Sequence, residues 1–199
     1  MLYFEKKLKE KGYKLIIGVD EAGRGPLAGP VVAAAVILKT HRFKNRIDDS
    51  KKLTPCAREK AYEELVGKSV FGIGVVSEKE IDRVNILVAT RIAMQEAIKS
   101  LLSKLKSKKE SLHIIIDGQL KLDIEYPHTS IIKGDSRSKT IAAASILAKV
   151  TRDRIMDSYD YVYPGYGFAK HKGYPTKEHR RVIKDLGISL IHRRSFVYD

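Results

Sequence analysis

Three short apolar runs within the first 76 residues restrict most strongly how this chain can fold. Residues 14–20 (KLIIGVD), 30–38 (PVVAAAVIL) and 69–76 (SVFGIGVV) each have the length and apolar content of a buried strand. Their close spacing predicts an antiparallel meander. The chain therefore begins as a sheet, and later elements must pack against it.

Helical patterns surround two further strands. Thr54 precedes a proline and predicts a helix that stops at Gly67. Residues 85–105 carry apolar side chains at helical spacing, and the apolar run 112–117 (LHIIID) follows them as a fourth strand. Because a helix crosses over between strands, the fourth strand should lie parallel to a neighbour. A short fifth strand is predicted at 128–132.

The second half of the chain should be mostly helical. A helix from Ser138 presents small residues that permit close packing on the sheet, and residues 176–186 predict another helix in a basic tail. No internal repeat or long linker interrupts the sequence. We expect an α/β fold with a five-stranded mixed sheet flanked by helices. Residues 1–168 would form the main domain, and residues 169–199 a basic, partly helical extension.

Net charge indicates which class of molecule the protein binds, and cysteine content indicates the compartment in which it works. The 199 residues include 38 Lys and Arg against 24 Asp and Glu, a net charge of +14 that favours nucleic acid. A merely soluble basic protein is the alternative. Cys56 is the single cysteine, so no intramolecular disulfide can form, and residues 1–14 lack a signal peptide or membrane span. We expect a cytoplasmic monomer that does not bind membranes.

Four carboxylates stand where strands end or a helix is about to begin. Asp20 and Glu21 close the first strand, Asp117 closes the fourth, and Asp135 precedes the helix at Ser138. Sites gather at the carboxyl ends of strands, so these acids should converge. Because like charges raise one another's pKa, a cation must join them, and oxygen ligands without Cys or paired His favour Mg²⁺ or Mn²⁺. Two such ions about 4 Å apart can hydrolyse a phosphodiester. The alternative is that each Asp only caps a helix or forms a turn.

The glycine-rich segment after Glu21 admits several readings. Gly23, Arg24, Gly25 and Ala28 fit a loose dinucleotide-binding pattern, but a strand follows where that pattern needs a helix. A partial P-loop at 67–69 fails for the same reason. Glycines also let a backbone approach a ligand closely, and backbone groups can address a ribose 2′-hydroxyl. A plain tight turn remains the other possibility.

The whole of segment 20–30 (DEAGRGPLAGP) closely resembles ribonuclease HII. The similarity continues, in matching order, through DSKKL at 49–53, Asn85, IDG at 116–118, KGD at 133–135, AAASILAK at 142–149 and KHKGYPTKEH at 170–179. Ribonuclease HIII is related but carries an extra N-terminal domain, for which this chain has no room. The resemblance implies an RNase H-like fold with a small helical C-terminal part.

The resemblance also implies roles for individual residues. Asp20, Glu21, Asp117 and Asp135 match the family's metal-binding acids, which would also be its catalytic groups. Gly23, Arg24 and Gly25 match the segment that senses the 2′-hydroxyl, and Tyr174 matches a tyrosine that stacks on the following deoxyribose. Ser50, Lys51 and Asn85 match positions that hold phosphates, with loop solvation and helix capping as alternatives.

The implied activity is an endonuclease that cuts the RNA strand of RNA/DNA hybrids and cuts 5′ of ribonucleotides embedded in duplex DNA. A two-metal reaction with Mg²⁺ or Mn²⁺ would leave 3′-hydroxyl and 5′-phosphate ends. A non-catalytic module that binds hybrid or duplex is one alternative. Another is an RNase H-like nuclease that ignores the 2′-hydroxyl.

Charged and aromatic residues of the tail have ordinary interpretations too. His171 and His179 lie among lysines, which predicts surface or phosphate-facing positions. The basic residues that could contact phosphate or remain solvated are Lys170, Lys172, Arg180, Arg181, Arg193 and Arg194. The tyrosines at 159, 161, 163 and 166 are predicted to pack rather than to stack on bases.

Overall fold

The computed structural model describes residues 1–105 and 111–197, which form one five-stranded sheet with helices on both faces. The strands are β1 (Leu15–Ala22), β2 (Val31–Leu38), β3 (Ser69–Val76), β4 (Leu112–Asp117) and β5 (His128–Ile131), in the order β3-β2-β1-β4-β5. Strands β1, β2 and β3 form an antiparallel meander, while β4 pairs parallel with β1 and β5 parallel with β4. The predicted mixed sheet is confirmed.

The four predicted helices are all present, although two of their boundaries differ, and five further helices occur in the described residues. The helices are α1 (Tyr3–Glu10), α2 (Pro55–Lys68), α3 (Glu78–Val84), α4 (Ile86–Leu102), α5 (Gly134–Arg137), α6 (Lys139–Val162), α7 (Phe168–His171), α8 (Lys177–Leu186) and α9 (Arg194–Val197), with a 3₁₀ turn at Ser50–Lys52. Gly67 does not end α2, which runs directly into β3. The helix predicted from residue 85 is preceded by α3, and Asn85 separates the two with a φ of 69°. None of the helices in the described parts is long and apolar enough to cross a membrane.

Glycines in the strands let the two longest helices approach the sheet. A Cβ at Gly74 would lie 2.0 Å from the Ala93 carbonyl oxygen of α4, and a Cβ at Gly18 would lie 2.5 Å from the backbone of Thr140 on α6. Helix α4 thus covers one face of the meander, and α6 with α2 covers the other. Both faces of β1 and β2 are buried, which explains why their sequences are continuously apolar.

The C-terminal segment returns to the loop that joins β1 and β2. The Leu27 amide donates to the Gly173 carbonyl at 2.8 Å, and the Gly29 amide donates to the Ile191 carbonyl at 2.8 Å. Met156 and Phe168 pack with Ala28 in a small core beneath this loop. The division at residue 168 stays a prediction, and residues 198 and 199 of the expected extension lie outside the described residues. The tail and the β1–β2 loop share backbone bonds and a core.

Candidate active site

Three carboxylates from separate elements meet at one end of the sheet. The parallel pairing of β1 with β4 places Val19 beside Ile116, so the next residues, Asp20 and Asp117, lie side by side. Asp135 of α5 joins them, and each of the three offers an oxygen atom within 4.8 Å of the others. Asp20 and Asp135 are buried, with exposed fractions of 5% and 6%. The predicted convergence of these three acids is what the sheet topology produces.

Glu21 follows Asp20 and interacts electrostatically with it, but it is not one of the three residues whose oxygen atoms lie within 4.8 Å of one another. Its Oε1 accepts a hydrogen bond from Arg24 Nη1 at 3.4 Å. Its Oε2 is buried and has no hydrogen-bond partner among the described residues. We call Asp20, Glu21, Asp117 and Asp135 the acidic cluster.

The acidic cluster is electrostatically unsatisfied. Burial, followed by repulsion from Glu21 and Asp117, raises the pKa of Asp20 well above its usual value. Burial also raises the pKa of Glu21, although Arg24 opposes the effect. Burial and the Asp117 charge raise the pKa of Asp135. Oxygen ligands with raised pKa values and a partnerless Glu21 oxygen fit a hard divalent cation, which would remove the repulsion.

Short backbone contacts hold Asp117 and Asp135 together. Asp117 Oδ1 accepts from the Gly134 amide at 2.6 Å and from the Asp135 amide at 3.4 Å. A Cβ at Gly134 would lie 2.6 Å from Ile141 Cδ1 and 3.2 Å from Asp117 Oδ1, so this position favours glycine. Asp117 therefore binds the first amides of α5, as a capping residue does, while it remains in the acidic cluster.

Ser50, Lys51 and Asn85 have different surroundings. Ser50 is buried, and its Oγ lies 2.9 Å from Ser145 Oγ. The Lys51 side chain is exposed and its Nζ lies 4.0 Å from Asp135 Oδ2; some loss of hydration beside the protein lowers its pKa, but the nearby carboxylates, led by Asp49, raise that pKa overall. Asn85 Oδ1 accepts hydrogen bonds from the amides of Leu87 and Val88 in the first turn of α4, at 2.9 and 3.1 Å. Its side chain thus fulfils the capping role, and no described contact joins it to the acidic cluster.

Ser145 is a site-adjacent residue that sequence reasoning missed. It lies on α6, is 4% exposed, and a hydrogen bond from its side chain works to lower the pKa of Asp20 against the effect of burial. The available signal was a single hydroxyl within the run AAASILA of a helix that packs on the sheet. A buried hydroxyl there needs a polar partner.

The glycine segment lies between the acidic cluster and the tail. Gly23 has a φ of 98°, and a Cβ there would lie 2.1 Å from Arg152 Nε. Gly25 is exposed, and a Cβ there would meet no atom within 4 Å. Tyr174 is 39% exposed, with the Arg152 guanidinium 5.8 Å from its ring centroid. Gly23 and Tyr174 thus share Arg152 as a neighbour.

The expectations for the tail need correction. His171 and His179 are 8% and 0% exposed, because they pack against Phe168. Arg193 is also fully buried and binds backbone carbonyls of the β1–β2 loop. The tyrosines at 159, 163 and 166 pack as predicted, whereas Tyr161 is 91% exposed. A lysine-rich sequence around these residues concealed a buried polar core.

Comparisons with known proteins agree with this architecture. The family model of ribonuclease HII matches residues 17–198. A ribonuclease HII from Acetivibrio thermocellus is 54% identical over 198 residues, which are 98% of this chain and 75% of that protein. The ribonuclease H2 structure from Pyrococcus horikoshii is 27% identical with a TM-score of 0.68, covering 91% of this chain and 93% of that one.

The fold is also that of a chain in the PCNA:RNase HII complex from Archaeoglobus fulgidus. That chain is 24% identical, with a TM-score of 0.74 and coverage of 90% of this chain and 94% of that one. These likenesses identify the sheet and its helices as an RNase H-like fold. The chain therefore belongs to the ribonuclease HII family and is a type 2 ribonuclease H, an endonuclease that acts on nucleic acid.

Proposed function

We propose that this enzyme cuts the RNA strand of RNA/DNA hybrids and cuts on the 5′ side of single ribonucleotides in duplex DNA, leaving 3′-hydroxyl and 5′-phosphate ends. The acidic cluster would hold Mg²⁺ or Mn²⁺ and form the catalytic centre. The observation that carries the proposal is the meeting of Asp20, Asp117 and Asp135 within 4.8 Å at a buried position beside the glycine segment.

The residues around the acidic cluster have complementary tasks. When bound, the divalent ions would offset the charge of the phosphate and make water a better nucleophile. Lys51, with an exposed side chain, can contact a neighbouring phosphate. The buried Ser50 is the preceding residue, and a hydrogen bond between its Oγ and Ser145 Oγ holds its hydroxyl in place. Asn85 would reach a phosphate only with its amide nitrogen, because its oxygen caps α4.

Recognition of the ribonucleotide would come from the backbone. Arg24 and Gly25 are exposed, and their amide N–H groups have no acceptor among the described residues. Two such donors can bind a 2′-oxygen that lies against them. Tyr174 would present its ring to the next deoxyribose. The exposed thiol of Cys56 fits work in a reducing cytoplasm, and we expect the enzyme to act as a monomer.

Three duplexes of one sequence test the proposal: one with a single ribonucleotide, one with a full RNA strand and one of DNA alone. We expect the first two to be cut with Mg²⁺ or Mn²⁺, no cutting with EDTA, and product ends that a ligase and a polymerase can identify. Equal cutting of the all-DNA duplex would instead indicate an RNase H-like nuclease that ignores the 2′-hydroxyl.

The Asp117→Asn variant tests the catalytic centre. We expect it to lose about 10³-fold or more in cleavage rate, because catalytic groups that act as a unit fail together. Asp123→Asn is the matched control, since Asp123 is an exposed carboxylate beyond the same strand, and it should cut at the normal rate. Normal cutting by Asp117→Asn would refute the proposed centre.

The Gly25→Ala variant tests the glycine segment separately. The added methyl group meets no protein atom within 4 Å, so the fold should be unaffected, but it would stand where the sugar must approach. We expect KM for the single-ribonucleotide duplex to rise about tenfold or more, because small displacements at a reacting site cost much activity. Gly67→Ala, equally unobstructed but on α2, should leave KM unchanged.

A further inference from the structure

Arg193 and Arg152 place two fully buried guanidinium groups behind the glycine segment. All side-chain hydrogen bonds of Arg193 within the described residues go to backbone carbonyl oxygens: Nη2 to Gly23 at 2.6 Å and to Gly29 at 2.7 Å, Nη1 to Arg24 at 3.0 Å, and Nε to Gly29 at 2.9 Å. Burying a cation is costly unless its donors are satisfied. The arginine and the loop therefore determine each other's positions.

Arg152 extends the same arrangement to the tail. Its Nε donates to the Pro30 carbonyl at 2.9 Å, its Nη2 to the Ala28 carbonyl at 3.1 Å, and its Nη1 to the Lys172 carbonyl at 3.0 Å. Lys172 is two residues before Tyr174. The loop and the tyrosine are therefore fixed to one another through a single side chain.

The planarity of the peptide bond gives these contacts a consequence on the exposed side. The described residues contain no cis peptide bond, and in a trans peptide the C=O and the next N–H point in opposite directions. The carbonyls of Gly23 and Arg24 point inward at Arg193. The N–H groups of Arg24 and Gly25 must therefore point outward. Consecutive outward amides form a concave binding position for an oxygen with partial negative charge.

We propose that Arg193 is a positioning residue for ribonucleotide selectivity: it holds the Gly23 and Arg24 carbonyls so that the Arg24 and Gly25 amides face the substrate's 2′-oxygen. The inference rests on the proposed function and adds the residue that sets the geometry. Arginine suits this task because its rigid planar fork reaches three carbonyls at once, which a lysine ammonium cannot do from one nitrogen.

The Arg193→Lys variant tests the inference through KM and kcat measured separately. We expect KM for the single-ribonucleotide duplex to rise about tenfold with kcat little changed, since the amides bind the ground state and the transition state alike. The inhibition constant of the all-DNA duplex, used as a competitor, should stay within about twofold. A purely structural role would instead lower kcat through a smaller folded fraction and leave KM unchanged.

Arg58→Lys is the matched control. Arg58 also donates to backbone carbonyls, those of Ser50 at 3.0 Å and Leu53 at 3.1 Å, but in a different loop. We expect it to change KM for the ribonucleotide duplex and the inhibition constant for the all-DNA duplex by the same factor. Arg193→Gln, which keeps one donor group, is made beside Arg193→Lys so that a folding failure of one variant leaves the other for measurement.

The outcomes separate this inference from the proposed function. A wild-type enzyme that does not prefer the ribonucleotide duplex would overturn the proposed function. A wild-type enzyme that prefers it, with an Arg193→Lys variant whose KM is unchanged or whose only loss is in kcat, would overturn the positioning role alone. A KM increase confined to the ribonucleotide duplex supports both.

Discussion

The acidic cluster and a histidine cluster in the tail both bury ionisable groups, but only the histidine cluster satisfies them with hydrogen bonds. The histidine cluster comprises His171, His179 and His192, packed around Phe168. Burial lowers the pKa of His179 and of His192 to about 4, so both are neutral at physiological pH. Burial raises the pKa values of three acids in the acidic cluster. Burial thus favours the neutral form in both clusters, by lowering the pKa of the histidines and raising the pKa of the acids.

Hydrogen bonding completes the histidine cluster internally. The Ser189 amide donates to His192 Nδ1 at 2.9 Å, so His192 must carry its proton on Nε2. That Nε2 lies 3.0 Å from His179 Nε2, and His179 Nδ1 lies 3.0 Å from the Tyr174 carbonyl. Each ring nitrogen of His179 and His192 therefore has a hydrogen-bond partner. The mutually repelling acids, with their partnerless Glu21 oxygen, therefore fit a cation site, whereas the hydrogen-bonded histidines support the fold of the tail.

The largest expected effect comes from Asp20→Asn, which removes one negative charge from the acidic cluster. We expect cleavage to fall about 10³-fold or more, while the metal-free protein gains about 1 kcal/mol of stability, because a repelling buried charge has gone. That gain corresponds to roughly 2–4 °C in Tm for a chain of this size. Thermal unfolding with and without Mg²⁺ measures both the gain and the stabilisation by the ion.

Asp153→Asn provides the matched control for this prediction. Asp153 is paired with Lys149 at 2.6 Å and with Arg58 at 3.5 Å, so the same substitution there removes attraction rather than repulsion. We expect it to lower Tm. If the metal-free Asp20→Asn variant were instead less stable than wild type, the acidic cluster could not be the repelling group described above.

The pH dependence of stability should have opposite signs for the two clusters. A histidine whose pKa falls from 6.5 to about 4 on folding binds more protons when unfolded, so stability is lost as pH decreases through that range. An acid whose pKa is raised on folding binds more protons when folded, so metal-free stability decreases as pH rises above 3.8. Urea unfolding across pH should show His179→Asn reducing the loss on the acid side, and Asp20→Asn reducing the loss at higher pH. Unchanged slopes would contradict the assignment.

The acids could be located from sequence for a reason that the histidines do not share. Asp20 and Asp117 each end an apolar run, and a parallel pairing of those runs brings the ends together whatever the neighbouring side chains are. His179 is buried only because the tail folds back onto the β1–β2 loop, a contact between residues far apart in sequence. Local composition, which is lysine-rich there, favours the surface.

Helix boundaries also depend on backbone conformation and neighbouring elements that local sequence patterns do not reveal. Helical spacing predicts a helix from Asn85 but not the helix α3 before it; the positive φ of Asn85 separates α3 from α4, and its side-chain oxygen caps the start of α4. Gly67 stays inside α2 because β3 follows without a turn, so no glycine cap is used. Capping signals were informative where the side chain itself binds the backbone, as at Thr54, Ser138 and Thr176.

The smallest expected effect belongs to Lys51→Met, which removes a cation already present beside the acidic cluster. Its side chain is 83% exposed and its Nζ lies 4.0 Å from Asp135 Oδ2, so the metal-free protein should lose less than about 1 kcal/mol. The Mg²⁺ concentration needed for half of the thermal stabilisation should fall, because a competing charge has gone. If Lys51 also contacts a phosphate, the slope of log KM against log salt should shrink by about one.

Lys121→Met, at an exposed lysine beyond the same strand as Asp117, should change neither quantity. A tighter ion with an unchanged salt slope would make Lys51 a neighbour of the acids that does not touch nucleic acid. A smaller slope with unchanged ion binding would make it a phosphate contact whose distance from Asp135 has no electrostatic consequence. Only both changes together would place one side chain in both roles, linking the unsatisfied acids to the substrate that approaches them.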